Sequence, residues 1–215
     1  MKNHLTTPIP IPERKVSRNN LLIPYSNDTE MWQAFKDGSN AAFLNIYKKY
    51  FNSLFSYGIR IKDNEDLVKD AIQDVFLDLK KNCRGLGNTD SIKFYLFKCL
   101  KRKIFKQFKV WEGQREELVL QDSFGITFSH EQTLINKQID LEKARLIDGA
   151  IQQLSPRKRE AIYYVFYEGM SYQQVSELME LCDAKSARDL VYKALRCLRN
   201  SAGFLPVIFS LYVPI

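Results

Sequence analysis

The stretch LSPRKREAIYYVFYEGMSYQQVSELMELCDAKSARDLVYKALRCLR, from Leu154 to Arg199, reads as three short helices, the last of them basic on one face. Ser155 suits an N-cap, and Pro156 at the first helical position loses no needed hydrogen bond. Ala161, Ile162, Val165 and Phe166 then supply an apolar face, and Gly169 suits a left-handed stop. Ser171-Tyr172-Gln173-Gln174 is a capping box opening a second helix with Val175, Leu178 and Met179 inside. After a break at Glu180 to Asp183, Ala187, Leu190, Val191, Ala194, Leu195 and Leu198 recur at helical spacing. The opposite face carries Lys185, Ser186, Arg188, Asp189, Tyr192, Lys193 and Arg196. Two short helices and a longer basic one form a helix-turn-helix that can lay its last helix in a DNA major groove. The plainer alternative is a three-helix bundle with a solvated basic face.

Upstream the chain reads as a second helical block. Met31, Trp32 and Phe35 start it, Asp37-Gly38-Ser39 punctuates it, and Ala42, Phe43, Ile46, Tyr47, Tyr50, Leu54 and Tyr57 continue at helical spacing. Asp63-Asn64 caps a helix whose inner set is Leu67, Val68, Ala71, Ile72, Val75, Phe76 and Leu79. On its polar side Asp66, Asp70, Asp74 and Asp78 stand four apart, with Gln73 beside them. Like charges at this spacing weaken a helix by roughly 0.2–0.5 kcal/mol per pair. A basic protein partner would offset that repulsion; a solvated face and a metal site are the other readings.

Residues 82–90 have turn chemistry, and Ser91 caps the helix that follows. From Ile92 to Trp111 that helix holds Lys93, Lys98, Lys101, Arg102, Lys103, Lys106 and Lys109 without one acidic residue. Phe94, Tyr95, Leu96, Phe97, Leu100, Ile104, Phe105 and Phe108 are interleaved with them. Basic and aromatic side chains together suit nucleic acid, the cations holding phosphates and the rings stacking bases. Part of the aromatic set belongs to a core, and lysine stems also cover apolar surface.

The bulk figures agree with two small domains. There are 215 residues, 45% hydrophobic and 27% charged, with a net charge of +7 that favours a polyanionic partner. Cys83, Cys99, Cys182 and Cys197 form no C-x-x-C pair and are expected as buried reduced thiols rather than zinc ligands. His4 and His130 are the only histidines, which leaves little for acid–base catalysis. The fold expected is all-α, two helical domains joined by a long linker. The boundaries are a disordered arm over 1–27, a first domain over 28–111, an acidic linker over 112–139, a second domain over 140–203 and an apolar tail over 204–215. The arm shows no secretory pattern, so a cytoplasmic protein is expected. The tail is too short to span a bilayer; packing on its own domain, or contact with a regulator, would explain it.

The second block, through Leu154-Ser155-Pro156-Arg157-Lys158-Arg159-Glu160, Tyr167-Glu168-Gly169-Met170-Ser171-Tyr172 and Lys185 to Leu195, resembles region 4 of bacterial sigma factors of the extracytoplasmic-function (ECF) subfamily of the sigma-70 family. Glu180 stands where such proteins usually carry a glycine, in a turn one residue longer. Asp70-Ala71-Ile72-Gln73-Asp74-Val75-Phe76-Leu77-Asp78-Leu79 is similar to the most distinctive part of region 2. The resemblance implies that Asp66, Asp70, Gln73, Asp74 and Phe76 dock on the clamp of RNA polymerase. It implies that Asn82, Asn88, Thr89, Lys93, Lys98, Lys101 and Arg102 capture the melted minus-ten strand, with a base flipped into a pocket at the loop. Lys185, Ser186, Arg188, Asp189, Tyr192, Lys193 and Arg196 would then face the minus-thirty-five element.

Partners expected on this reading are core RNA polymerase and promoter DNA, with an anti-sigma factor as a further candidate. No cofactor, metal, small-molecule substrate or stable membrane insertion is expected. Two promoter elements two helical turns apart lie roughly 70 Å from each other, so the linker must be held extended to span them. A stand-alone helix-turn-helix regulator explains only residues 154–199. An enzyme using the aspartate stripe would lack the second ligand set that a two-metal site needs.

Overall fold

The structure, a computed structural model, describes residues 25–112, 124–125 and 148–200, with the last turn of the helix that ends at Glu112 as backbone only. Among the described residues every regular element is a helix. The first block contains α1 (Asp28–Lys36), α2 (Asn40–Ile61), α3 (Glu65–Lys81), a 3-10 turn (Cys83–Gly85) and α4 (Ile92–Glu112). The second contains helical residues 148–152, α5 (Pro156–Ile162), a wider π-type turn (Tyr163–Tyr167), α6 (Tyr172–Leu178) and α7 (Ala184–Asn200). Residues 1–24 of the arm expected over 1–27, most of the linker, residues 140–147 and 201–203 of the expected second domain and the tail over 204–215 lie outside the described residues.

Caps set the ends of these helices. Ser39 and Asn64 accept from the backbone N–H groups of Ala42 and Leu67, opening α2 and α3. Ser171 and Gln174 complete the expected capping box. At the end of α6, Glu180 takes φ 52° and Leu181 N–H donates to the Ser176 carbonyl at 2.8 Å. This is a Schellman stop. A side chain in that conformation costs about 1–2 kcal/mol, so the expected glycine is missing from a place that physically favours one.

In the first block α2, α3 and α4 pack around Ile46, Leu54, Ile72, Leu96 and Leu100. Gly58 allows α2 to lie close to α3: a Cβ there would fall 2.4 Å from Val68 Cγ1. Asp28 ties three elements together, accepting from Lys49 Nζ at 2.8 Å, Tyr50 OH at 2.7 Å and Ile92 N–H at 3.2 Å.

Three expectations change. Phe166 is not on the inner face of the fifth helix: it is 46% exposed, while Val165 is half-buried against the core and Tyr163 and Tyr164 are buried. The cause is the π turn, where Glu168 N–H reaches back five residues to the Tyr163 carbonyl and the extra residue rotates the face. Tyr47 is exposed rather than core, lying over Phe76 at a ring distance of 4.9 Å. Cys182 and Cys197 are exposed thiols, and Cys83 and Cys99 are half-buried. Cys182 falls in the turn before α7, and Cys197 lies on the polar side of α7, where Lys158 Nζ meets its sulfur at 3.3 Å.

Candidate nucleic-acid interface

The outer face of α7 is free of the core. Ala187, Val191, Ala194 and Leu198 are buried, whereas Lys185, Arg188, Asp189, Tyr192, Lys193 and Arg196 are exposed and Ser186 half-buried. Asp183 opens the helix, accepting from Ser186 N–H at 2.7 Å, and this pair holds the Asp183 carboxyl below its ordinary value. The result is a rigid rod carrying five exposed cations, Arg199 in its last turn included, and a tyrosine that is 56% exposed.

The loop before α4 is fastened by α1. Trp32 Nε1 donates to the Gly87 carbonyl at 2.9 Å and Lys36 Nζ to Asn88 Oδ1 at 2.7 Å. Thr89 Oγ1 accepts from Ser91 N–H and donates to the Ser91 carbonyl, so its hydroxyl serves the turn. The hydroxyl expected to read a base edge is thus seated in the turn. Asn82 closes α3 through its side-chain amide on the Asp78 carbonyl. Beside it lies a cavity of about 260 Å³ lined by Asn82, Leu86, Tyr95, Arg102, Lys103 and Lys106. Burial, then neighbouring Cys99, pushes the Tyr95 phenol up to about 12.

Helix α4 therefore has two basic faces, not one. Tyr95, Arg102 and Lys106, at i, i+7 and i+11, turn towards the loop cavity. That spacing was the available signal for Tyr95 and Lys106. Lys93, Lys98 and Lys101 turn the other way, into the second block. Lys93 Nζ lies 2.9 Å from Glu168 Oε2, Lys98 Nζ 3.0 Å from Glu177 Oε2 and Lys101 Nζ 2.8 Å from Glu160 Oε1. Lys101 also donates to the Leu178 carbonyl at 2.7 Å, capping the C-terminal end of α6. The carboxylates absent from residues 92–111 thus arrive from residues 59 to 79 positions later.

Behind these pairs the two blocks share an aromatic seam. Tyr57 stacks on Phe97 at 4.6 Å and on Tyr163 at 6.2 Å, and Phe124 lies against both Tyr57 and Tyr163. Tyr164 OH donates to Glu160 Oε1 at 2.8 Å, and its oxygen meets Tyr57 OH at 2.5 Å. Burial, then the Glu160 charge, raises both phenols well above 10, so both keep their protons. Glu160 is only 8% exposed and accepts from Tyr164 and Lys101 together.

The acidic stripe of α3 is divided. Asp66, Asp70 and Gln73 are exposed, and Leu77, 57% exposed, shares their face. Lys103 takes the other end, 2.8 Å from Asp78 and 3.4 Å from Asp74. Its ammonium lowers the Asp78 carboxyl below the ordinary value. Phe76 of the expected docking set is 3% exposed and supports Phe43 and Tyr47 from below. Among the described residues no group of three or more His, Cys, Asp and Glu is gathered as a metal site, and no helix is long and apolar enough to cross a membrane.

A family model described as Sigma-70, region 4 matches residues 144–198. The chain is 20% identical over 180 residues to the ECF RNA polymerase sigma-E factor of Haemophilus influenzae, covering 80% of this chain and 94% of that protein. It is 20% identical over 154 residues to the ECF RNA polymerase sigma factor SigM of Bacillus subtilis, covering 72% and 91%. Among solved structures it is similar in fold to CnrH in complex with the cytosolic domain of CnrY. The TM-score is 0.52 at 17% identity, over 80% of this chain and 94% of that one.

Proposed function

We infer from the region 4 match and the two full-length relatives that this chain belongs to the ECF sigma factors and directs RNA polymerase to promoter DNA. The single observation that carries the reading is the matched helix-turn-helix with its basic outer face standing in the same chain as a second helical block of the right order and length. A stand-alone regulator would leave that first block, with its acidic stripe and basic helix, without a task.

The residue assignments are proposals. Asp66, Asp70, Gln73 and Leu77 form the docking face for core polymerase: exposed carboxylates beside an exposed leucine suit a basic, partly apolar surface. The loop cavity, with Tyr95 to stack on a base, Asn82 for its edge and Arg102 and Lys106 for the adjoining phosphates, receives the melted minus-ten strand. Arg188, Lys185, Lys193 and Arg196 meet the minus-thirty-five duplex. The bond-making chemistry belongs to the polymerase, and the protein works in the cytoplasm, where that enzyme is.

Docking is tested by the double charge reversal Asp66→Lys/Asp70→Lys. Both residues are exposed, so helix content measured by circular dichroism is expected to stay unchanged while capture of core polymerase is lost. Capture equal to that of the parent chain would reject the docking face.

A further inference from the structure

We propose that Asp189 is the residue through which α7 selects its promoter: its carboxylate accepts from the exocyclic amine of one cytosine in the minus-thirty-five major groove. This role rests on reading α7 as the helix that meets that duplex, and it adds the base that the helix selects. Asp189 is the only carboxylate in α7, and it stands among Lys185, Arg188, Tyr192, Lys193 and Arg196 on the outer face. A negative charge there repels every phosphate it approaches. It therefore weakens binding to all sequences except one that offers it a donor.

The register of α7 puts this carboxylate where a base edge arrives. At about 100° per residue, Asp189 lies within roughly 10° of the direction opposite the buried stripe of Ala187, Val191, Ala194 and Leu198. Lys185, one turn earlier, and Arg196, two turns later, share that centre line, while Arg188 and Lys193 flank it on opposite sides. A helix seated in the groove directs its centre line at the base pairs and its flanks at the phosphate walls. Asp189 also lies in the second turn, near the N-terminal end that approaches base edges in this motif. It is exposed, and among the described residues no hydrogen bond or ion pair occupies its carboxylate. Lys185 and Lys193 stand four residues to either side, the spacing of a helix-surface ion pair, yet neither ammonium is paired with it. Asp183, by contrast, is spent on the Ser186 N–H at 2.7 Å as the cap.

The chemistry of the groove narrows the choice to one base. Guanine and thymine present no donor there, and an ionised carboxylate has no proton to give their acceptors. Adenine offers its N6 amine beside the N7 acceptor, whose lone pair repels the second carboxylate oxygen. Cytosine offers its N4 amine with no acceptor next to it on its own edge, so it takes a carboxylate without that repulsion. The guanine opposite turns O6 and N7 into the groove, and Lys185, one turn along the same line, is a donor of the kind they accept. An amide in place of the carboxylate reverses the pattern: asparagine accepts from N6 and donates to N7, the pairing that favours adenine.

The test uses the full chain bound to core polymerase. A promoter from which the parent complex initiates is randomised across its minus-thirty-five element. Templates that yield transcripts are then sequenced for the parent, Asp189→Ala, Asp189→Asn and Arg188→Ala. The parent should favour cytosine at one position of one strand by at least about fivefold over each other base. Asp189→Ala should flatten that position alone, and Asp189→Asn should move its preference to adenine. Arg188→Ala, on the flank, should lower the yield from all sequences and leave the cytosine preference in place. Retention of the parent's preference by both Asp189 variants would overturn the assignment. A loss spread evenly over the whole element would overturn it equally, since Asp189 would then only hold the helix in place. A parent that initiates nowhere with core polymerase fails the sigma reading itself, whereas one that initiates without a cytosine preference fails Asp189 alone.

Discussion

The buried hydroxyl pair at the seam has a direction, and the direction is testable. Each phenol has one hydrogen; Tyr164 spends its hydrogen on Glu160, so Tyr57 must donate to the Tyr164 oxygen. Tyr164→Phe leaves the Tyr57 hydroxyl buried with its acceptor gone, since both rings are fully enclosed where the two blocks pack together. Stranding a buried donor costs about 1–3 kcal/mol. Tyr57→Phe removes only a donor to an oxygen that still keeps its own bond to Glu160, a loss of about 0.5–1.5 kcal/mol. At 1.4 kcal/mol per tenfold, the equilibrium constant for packing this seam falls about 5- to 150-fold in the first case and about 2- to 12-fold in the second. The yield of zero-length carbodiimide coupling between Lys98 and Glu177 across a urea series reads this as a midpoint. Both variants should lose the cross-link at lower urea than the parent, Tyr164→Phe at the lowest. Equal shifts, or the reverse order, would refute the assigned direction of the hydrogen bonds and with it the hub at Glu160.

Other expectations follow from single contacts. Gly58→Ala places a methyl group against the stiff Val68 side chain and should destabilise the first block by about 1–3 kcal/mol in denaturant unfolding. Glu180→Gly relieves a left-handed side chain and should stabilise the second block by roughly 0.5–1 kcal/mol, after the extra freedom of glycine in the unfolded chain is subtracted. Burial works against ionisation of Asp28, but its bonds from Lys49 and Tyr50 prevail and leave the carboxyl below its ordinary 3.8. Its contribution is therefore complete above pH 3.8 and lost as the pH falls through the folded value; Asp28→Asn should flatten the acid limb of thermal stability in that window. Arg188→Ala should weaken duplex promoter binding and lower the salt slope by about 0.9 if the guanidinium holds one phosphate, read by titrating salt in an anisotropy assay.

Local rules carried the helix ends well. Ser39, Asn64 and the Ser171–Gln174 box cap where side-chain chemistry says they should, and the periodicity of α7 separates Ala187, Val191, Ala194 and Leu198 from the exposed cations. Two things could not be read from spacing. The π turn at Tyr163–Tyr167 slips the register by one residue, so a regular 3.6-residue period assigns Phe166 inward and Tyr164 outward, the reverse of what packing chose. The counter-charges of α4 lie in another block, and no window along the helix contains Glu160, Glu168 or Glu177. Phe76 shows a third limit: its place in a motif and its place in a core look alike until Tyr47 is seen lying over it. At Glu180 the oddity was visible as a residue type, but only the backbone angle shows that the turn keeps a glycine-like shape without glycine.

The most direct measurement is initiation itself. Purified chain and its cognate core polymerase, incubated with a genomic promoter library and nucleotides, should give discrete start sites sharing two upstream elements about two helical turns apart. Core enzyme alone should give none of these starts. No start sites above the core-only background, or starts that survive unchanged when the chain carries Asp66→Lys/Asp70→Lys and Arg188→Ala together, would contradict the account.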